Sequence, residues 1–202
     1  MTQLLETVRV KGGKAPLWPY HLVRLVRSAK AIGLPIPTLG APAGGADRVL
    51  RYAIRPDGFS LVERATESTT PVKLGVASVP HSPYVHKTDD RAQFDRTLAE
   101  AVGRGEEDAI LLNQGSVAEC VIWSCFWWEG LKLAAPPLGI GILPSVARAR
   151  LNELAGGIIE GRVTPAEFRA RGGFLANAAR GVVGVEGVAE VPGTVFLRTR
   201  FW

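Results

Sequence analysis

Apolar and polar residues alternate through Leu4-Leu5-Glu6-Thr7-Val8-Arg9-Val10, the period of two that marks a half-buried β-strand. Lys11-Gly12-Gly13-Lys14 then reads as a hairpin turn, because paired glycines accept the backbone twist of a tight reversal. Beyond it Leu22, Leu25, Val26, Ala29 and Ile32 recur at helical spacing until Gly33 and Pro35, which stop the helix. Arg24 therefore belongs to a helix. Residues 35–46 are rich in Pro, Gly and Ala, Asp47 can cap a short helix or open a strand through Val49–Ile54, and Pro56-Asp57-Gly58 is a turn signal.

A polar stretch, Ala65–Thr70, separates this part from the strand predicted over Val72–Val79. It divides the chain into a small N-terminal α/β domain over 1–70 and a larger one over 71–202. Lys87 falls in a loop just past that strand. The pattern then predicts an amphipathic helix around Ala92–Val102, a strand at Ala109–Leu112, a turn at Asn113-Gln114-Gly115-Ser116, and two strands, Val117–Trp128 and Leu131–Ala134, joined at Glu129-Gly130. Glu119 lies on the first of these two. Residues 145–155 read as helix, Thr164-Pro165-Ala166-Glu167 opens another with proline at its first position, and the chain returns to strand and turn from Gly172.

Composition narrows the class without choosing a function. The 202 residues are 47% hydrophobic and 21% charged, as in an ordinary globular protein. No apolar run approaches the ~18 residues of a membrane span, and the start Met1-Thr2-Gln3-Leu4-Leu5-Glu6 lacks the basic-then-apolar order of a signal peptide; a cytoplasmic location is expected. Cys120 and Cys125 are too few and too close for a disulfide framework, and with three histidines they make no zinc spacing; buried free thiols and no metal are expected. The net charge of +5 comes from scattered arginines with no basic run, so an anionic small molecule fits at least as well as nucleic acid, and no nucleic-acid or membrane partner is expected. Gly40–Gly45 lacks the Gly-Lys-Ser/Thr of a nucleotide loop, and no Gly-x-Ser-x-Gly elbow occurs.

Three charges stand out: Arg24 in His-Leu-Val-Arg-Leu, Lys87 in His-Lys-Thr, and Glu119 at the end of Asn-Gln-Gly-Ser-Val-Ala-Glu. A Schiff-base lysine, a carboxylate for the ring nitrogen and an arginine for the phosphate are what pyridoxal 5'-phosphate (PLP) needs from a protein. With Leu-Leu-Glu-Thr-Val-Arg-Val before them, and Pro136-Pro137-Leu138, Gly141-Ile142-Leu143-Pro144 and Phe174-Leu175-Ala176-Asn177-Ala178-Ala179-Arg180-Gly181-Val182 after them, the order resembles that of the class IV aminotransferases. These are the fold-type IV PLP enzymes, α/β proteins of two domains similar to D-amino-acid aminotransferase. Nearly the whole chain is covered, and the segments at residues 4–34 and 174–182 most resemble 4-amino-4-deoxychorismate lyase.

The resemblance implies roles. Lys87 would hold PLP and move the proton at the substrate's amine-bearing carbon. Glu119 would accept the hydrogen bond of the protonated ring nitrogen. Arg24 would grip the phosphate, with backbone N–H groups at Val146, Ala147 and Ala178 completing its cup. Thr7 would help the leaving group depart. Arg9, Arg91 and Arg180 are candidates for the substrate's carboxylates. The residues alone allow plainer readings. A lysine in a polar loop is ordinarily solvated, Arg24 could be an exposed helix charge, and Phe126-Trp127-Trp128 alternates like core. Glu119 amid Val117-Ala118 and Cys120-Val121-Ile122 is different, since a carboxylate facing a core needs a partner.

The expected activity is that of an aminodeoxychorismate lyase, which takes a small anionic amine as substrate and releases pyruvate and p-aminobenzoate for folate synthesis. A branched-chain or D-amino-acid aminotransferase, and a degenerate binding subunit without catalysis, are the alternatives. Ser124 and Ser145 stand where the family has Asn and Gly, and looser cofactor or strand geometry is expected there. A homodimer is expected as well, because the apolar strand Leu4, Leu5, Val8 and Val10 has little chain left to cover it.

Overall fold

The alternation at the start becomes strand β1 (Leu4–Val10). Its even positions Leu4, Val8 and Val10 pack with Trp18, Leu25 and Ala29 of helix α1 (Trp18–Ile32). The structure is a computed structural model that describes residues 2–67 and 70–202, so positions 68 and 69 of the expected polar stretch lie outside it. Lys11 and Lys14 exchange backbone hydrogen bonds of 2.8 and 3.1 Å across Gly12 and Gly13, both at positive φ. The turn leads into α1 rather than into a returning strand. The partner of β1 is β2 (Arg48–Arg55), antiparallel with Thr7 opposite Arg51, and β3 (Gly58–Arg64) follows through the turn at Pro56-Asp57-Gly58. Asp47 caps nothing: its carboxylate accepts from Gly12 N at 2.8 Å and from Arg9 Nη2 at 3.0 Å.

Two expectations about this sheet are corrected. Leu4, Leu5, Val8 and Val10 are all buried within the single chain, Leu4, Val8 and Val10 under α1 and Leu5 on the opposite face, so they offer no surface to a partner. The buried face of α1 is not the stripe of its largest apolar residues either. Leu25 and Ala29 are core, but Leu22, Val26 and Ile32 are exposed, while His21, Arg24 and Ser28 are turned inward. An ion cluster with Glu6 holds that face, which apolar periodicity does not register.

The second sheet orders β4 (Leu74–Pro80), β5 (Asp108–Asn113) and β6 (Ser116–Cys120). Parallel β4 and β5 are joined through α2 (Ala92–Gly103). Gln114 and Gly115 both take positive φ in the β5–β6 turn. The expected strand Val117–Trp128 is two strands in different sheets: β6 ends at Cys120, and β7 (Ser124–Glu129) begins the third sheet. The buried Asp108 carboxylate makes the break, accepting from Val121 N and Ile122 N at 3.0 Å each and from its neighbour Ala109 N at 2.7 Å. Amides bound to a carboxylate cannot also continue a strand ladder.

The third sheet orders β11 (Gly181–Gly184), β10 (Phe174–Asn177), β7, β8 (Lys132–Ala135) and β9 (Ile159–Glu160). Cys125 and Trp127 face Ile110, Val117 and Trp123 on one side. Phe126 faces the other side, where α3 (Val146–Leu154) and α5 (Pro192–Arg200) cover the sheet with Leu151 and Leu197. The aromatic run is therefore core. Helix α4 (Pro165–Ala170) starts with the expected capping box between Thr164 and Glu167. Neither β3 nor α5 was legible in the pattern. Among the described residues no helix is long and apolar enough to cross a membrane.

Candidate active site

A cavity of about 280 Å³ opens between the first sheet and the other two. Leu5, Thr7, Val49, Arg51 and Arg64 form its wall on the first sheet, the face of β1 and β2 opposite α1. The Lys87 loop is stitched to β1, because Leu5 N donates to Lys87 O at 2.7 Å and Asp89 N to Gln3 O at 3.1 Å. Lys87 thus projects from a backbone fixed on a strand, although the sequence shows only a polar loop. Burial, and then the cations Arg24 and Arg91, bring its ammonium down to about 7, against the opposing pull of Glu6. A lysine so placed is half neutral near pH 7.

Arg24 enters the cavity from α1 with two of its three nitrogens committed. Nε donates to Glu6 Oε1 at 2.9 Å and Nη2 to Glu6 Oε2 at 2.5 Å, leaving Nη1 without an acceptor among the described residues. His21 Nδ1 lies 2.6 Å from the same carboxylate. Burial opposes the charge on Glu6, but Arg24 and His21 outweigh it and hold the carboxyl at about 2. Arg24 is therefore a positioned guanidinium rather than an exposed helix charge.

Glu119 lines the cavity from β6. Its Oε1 lies 2.9 Å from Nε2 of the buried His81, and Oε2 lies 3.4 Å from Leu143 N. No lysine or arginine pairs with it among the described residues; His81 is its neighbour at ion-pair distance. Cys120 beside it is 3.5 Å from Cys125, sulfur to sulfur. Burial and the Cys125 thiol push the Cys120 thiol up, which leaves it protonated and unreactive.

The cavity also carries a rim of donors. Helix α3 begins at Val146 and Ala147, which line the cavity and, as its first two residues, have no acceptor inside the helix. The Asn177 side chain accepts from Ala179 N and Arg180 N at 3.0 and 2.8 Å, shaping a loop that presents Ala178 to the same space. Ser145 caps α3 by accepting from Arg148 N at 3.0 Å and meets the Ser124 hydroxyl at 2.8 Å. The two positions that differ from the family pattern thus hold each other, and the expected loosening gives way to a hydrogen-bonded pair.

The candidate arginines divide. Arg91 lines the cavity but is held by Val121 O at 3.2 Å and lies over the rings of Tyr84 and Phe94. Arg180 lines it too, paired with Glu67 and stacked over Trp123. Arg9 is not brought in, because its guanidinium turns to Asp47 and lies over Trp202, away from the cavity. Sequence reasoning missed Arg51 and Arg64, which line the cavity with no ion-pair partner among the described residues. Their signal was available only after β2 and β3 were paired, since Arg51 sits opposite Thr7 on one side and Val62 on the other.

Pyridoxal phosphate would fit these groups. Lys87 offers a partly neutral amine, Glu119 a carboxylate with no lysine or arginine beside it, and Arg24 Nη1 and the Val146, Ala147 and Ala178 amides donors without acceptors among the described residues, as a phosphate requires.

The same conclusion comes from comparison with known proteins. The chain's fold is that of the branched-chain aminotransferase of Thermoproteus uzoniensis, solved with norvaline, at a TM-score of 0.82 and 22% identity over 98% of this chain and 84% of that one. A Legionella pneumophila protein provisionally named 4-amino-4-deoxychorismate lyase shares it at a TM-score of 0.82 and 20% identity over 99% and 91%. An aminotransferase from Brucella abortus bound to PLP shares it at 0.78 and 21% over 98% and 86%. Among curated proteins none matches the chain in sequence. The model of the family described as amino-transferase class IV matches residues 60–188, more than half of the chain and a span that contains Lys87, Glu119 and the Ala178 loop. The chain belongs to the class IV aminotransferases and is a PLP-dependent enzyme.

Proposed function

We propose that the enzyme is a 4-amino-4-deoxychorismate lyase, releasing pyruvate and p-aminobenzoate. The observation that carries this reading is the charge of the cavity. Five arginines line it, Arg24, Arg51, Arg64, Arg91 and Arg180, together with the half-neutral Lys87, against the carboxylates of Glu67 and Glu119. With Arg24 assigned to a phosphate and Arg180 paired to Glu67, Arg51 and Arg64 remain as neighbouring charges on adjacent strands. They suit a substrate with two carboxylates.

In this reading the bound cofactor supplies an electron sink for the carbon that bears the substrate's amine. Glu119, held by His81, would keep the ring nitrogen protonated, and the α3 amides with Arg24 would hold the phosphate. Lys87, neutral for half the molecules near pH 7, would take the proton from that carbon. The Thr7 hydroxyl, on the same face as Arg51, would stabilise the ether oxygen as the enolpyruvyl group leaves. Arg51 and Arg64 would orient the carboxylates so that this bond faces Thr7.

An aminotransferase acting on a branched-chain or D-amino acid is the second reading, favoured by the apolar wall of Leu5, Val49, Phe94 and Ile122. The two are separated by supplying PLP-loaded protein with aminodeoxychorismate, or with an amino acid and a keto acid. Pyruvate with p-aminobenzoate supports the lyase. A new amino acid, with no pyruvate from aminodeoxychorismate, would replace it by the transferase.

We also infer a homodimer, on grounds other than β1. Leu22, Val23 and Val26 on α1, and Phe59 and Leu61 on one face of β3, are exposed, two apolar surfaces of the kind that mark association.

A further inference from the structure

We propose that the hydroxyl pair Ser124–Ser145 is an anion donor of the cavity and binds the cofactor's phosphate beside the first amides of α3, an inference that rests on the PLP reading above. Ser145 Oγ lies 2.8 Å from Ser124 Oγ and 3.0 Å from Arg148 N. An amide only donates, so Ser145 Oγ accepts there. Each hydroxyl carries one proton, and only one proton can lie between the two oxygens. The other has no acceptor among the described residues, whichever way the pair is oriented.

That spare proton is well placed. Both serines line the cavity together with Val146 and Ala147, whose amides have no acceptor in the helix. Ser124 opens β7 and pairs in register with Ala176 on β10, next to the Asn177 loop that carries Ala178. The pair therefore joins the two groups of amides. With the Ala178 loop this edge of the cavity gathers donors at the positive end of α3, an arrangement that recognises an anion with several acceptor oxygens. Arg148 does not compete for the ligand, since its guanidinium is bound to Pro136 O at 2.7 Å and to Glu160 at 2.8 Å.

The test compares the affinities of PLP and of pyridoxal, which lacks the phosphate, for wild type, Ser145→Gly and Ser145→Thr, read by absorbance titration of the apoprotein. Glycine is a tolerable N-cap and removes the hydroxyl, whereas threonine keeps both the cap and the hydroxyl. Ser145→Gly is expected to weaken PLP about tenfold or more, as for a lost hydrogen bond to a charged group, with pyridoxal within twofold of wild type and Ser145→Thr close to wild type for both. Equal weakening of PLP and pyridoxal would reduce Ser145 to a helix cap and overturn the proposal, and so would unchanged PLP affinity in Ser145→Gly. Wild type that takes up no PLP would overturn the cofactor reading itself, a result distinct from either.

Discussion

A buried amine that is half neutral near pH 7 has consequences in both the apoprotein and the loaded enzyme. Uptake of PLP at Lys87 should accelerate with pH through about 7 and then level off, instead of climbing towards 10.5 as for a solvated lysine; stopped-flow absorbance across pH 6–10 reads this directly. Stability gives the converse. The folded state holds the Lys87 proton less tightly than the unfolded state, so the penalty is complete below about 7 and fades as pH rises from there to 10.5. Apo Lys87→Met should therefore melt above wild type at pH 6, with the gap closing towards pH 10. Arg24 couples to the fold in a different way. Arg24→Ala removes the guanidinium that Glu6 grips and leaves a buried carboxylate with only His21, at a cost of about 3–5 kcal/mol in urea unfolding. Glu6 in wild type stabilises fully above the ordinary carboxyl pKa of 4.5, and this is lost as pH falls through about 2. Arg51→Gln should raise KM for a dicarboxylate about tenfold or more, with a smaller change in kcat; an unchanged KM would return Arg51 to a solvated strand position.

At the scale of elements, the corner after Cys120 decides where Glu119 and Ser124 point. Asp108 holds two amides across it, and burial pushes its carboxyl up to about 6 despite those hydrogen bonds. Asp108→Ala should cost about 2–4 kcal/mol, since it leaves buried amides without an acceptor; calorimetry checks it, and a loss under 1 kcal/mol would mean that the corner holds itself. The sequence shows strand period on both sides of this corner, but a break made by a side chain thirteen residues upstream has no local signature. The same limit explains α1. Its existence and its glycine stop were legible from Leu25, Ala29 and Gly33, whereas its orientation was set by the Glu6–His21–Arg24 cluster. That Lys87, Glu119 and Arg24 belong together was legible from the order of their motifs, and all three line the cavity. Arg51 and Arg64 were not, because only strand pairing places them on the face of Thr7. Helix α5 was missed because it opens on Pro192-Gly193, which reads as a turn, and its apolar residues form one short run, with only Thr194 and Leu197 buried.

For the molecule as a whole, three sheets and the helices that cover them leave a cavity of about 280 Å³ where they meet, lined by more arginines than carboxylates. The exposed apolar residues of α1 and β3 predict a dimer by light scattering at micromolar concentration; Val23→Glu with Val26→Glu should shift it towards monomer. A wild-type monomer with full turnover would show that one chain closes its own site. The most direct measurement is borohydride reduction of the PLP-loaded protein followed by peptide mapping. A single label on Lys87 is predicted, abolished by Lys87→Met; a label on Lys73 or Lys132 instead, or none at saturating PLP, would contradict the assignment.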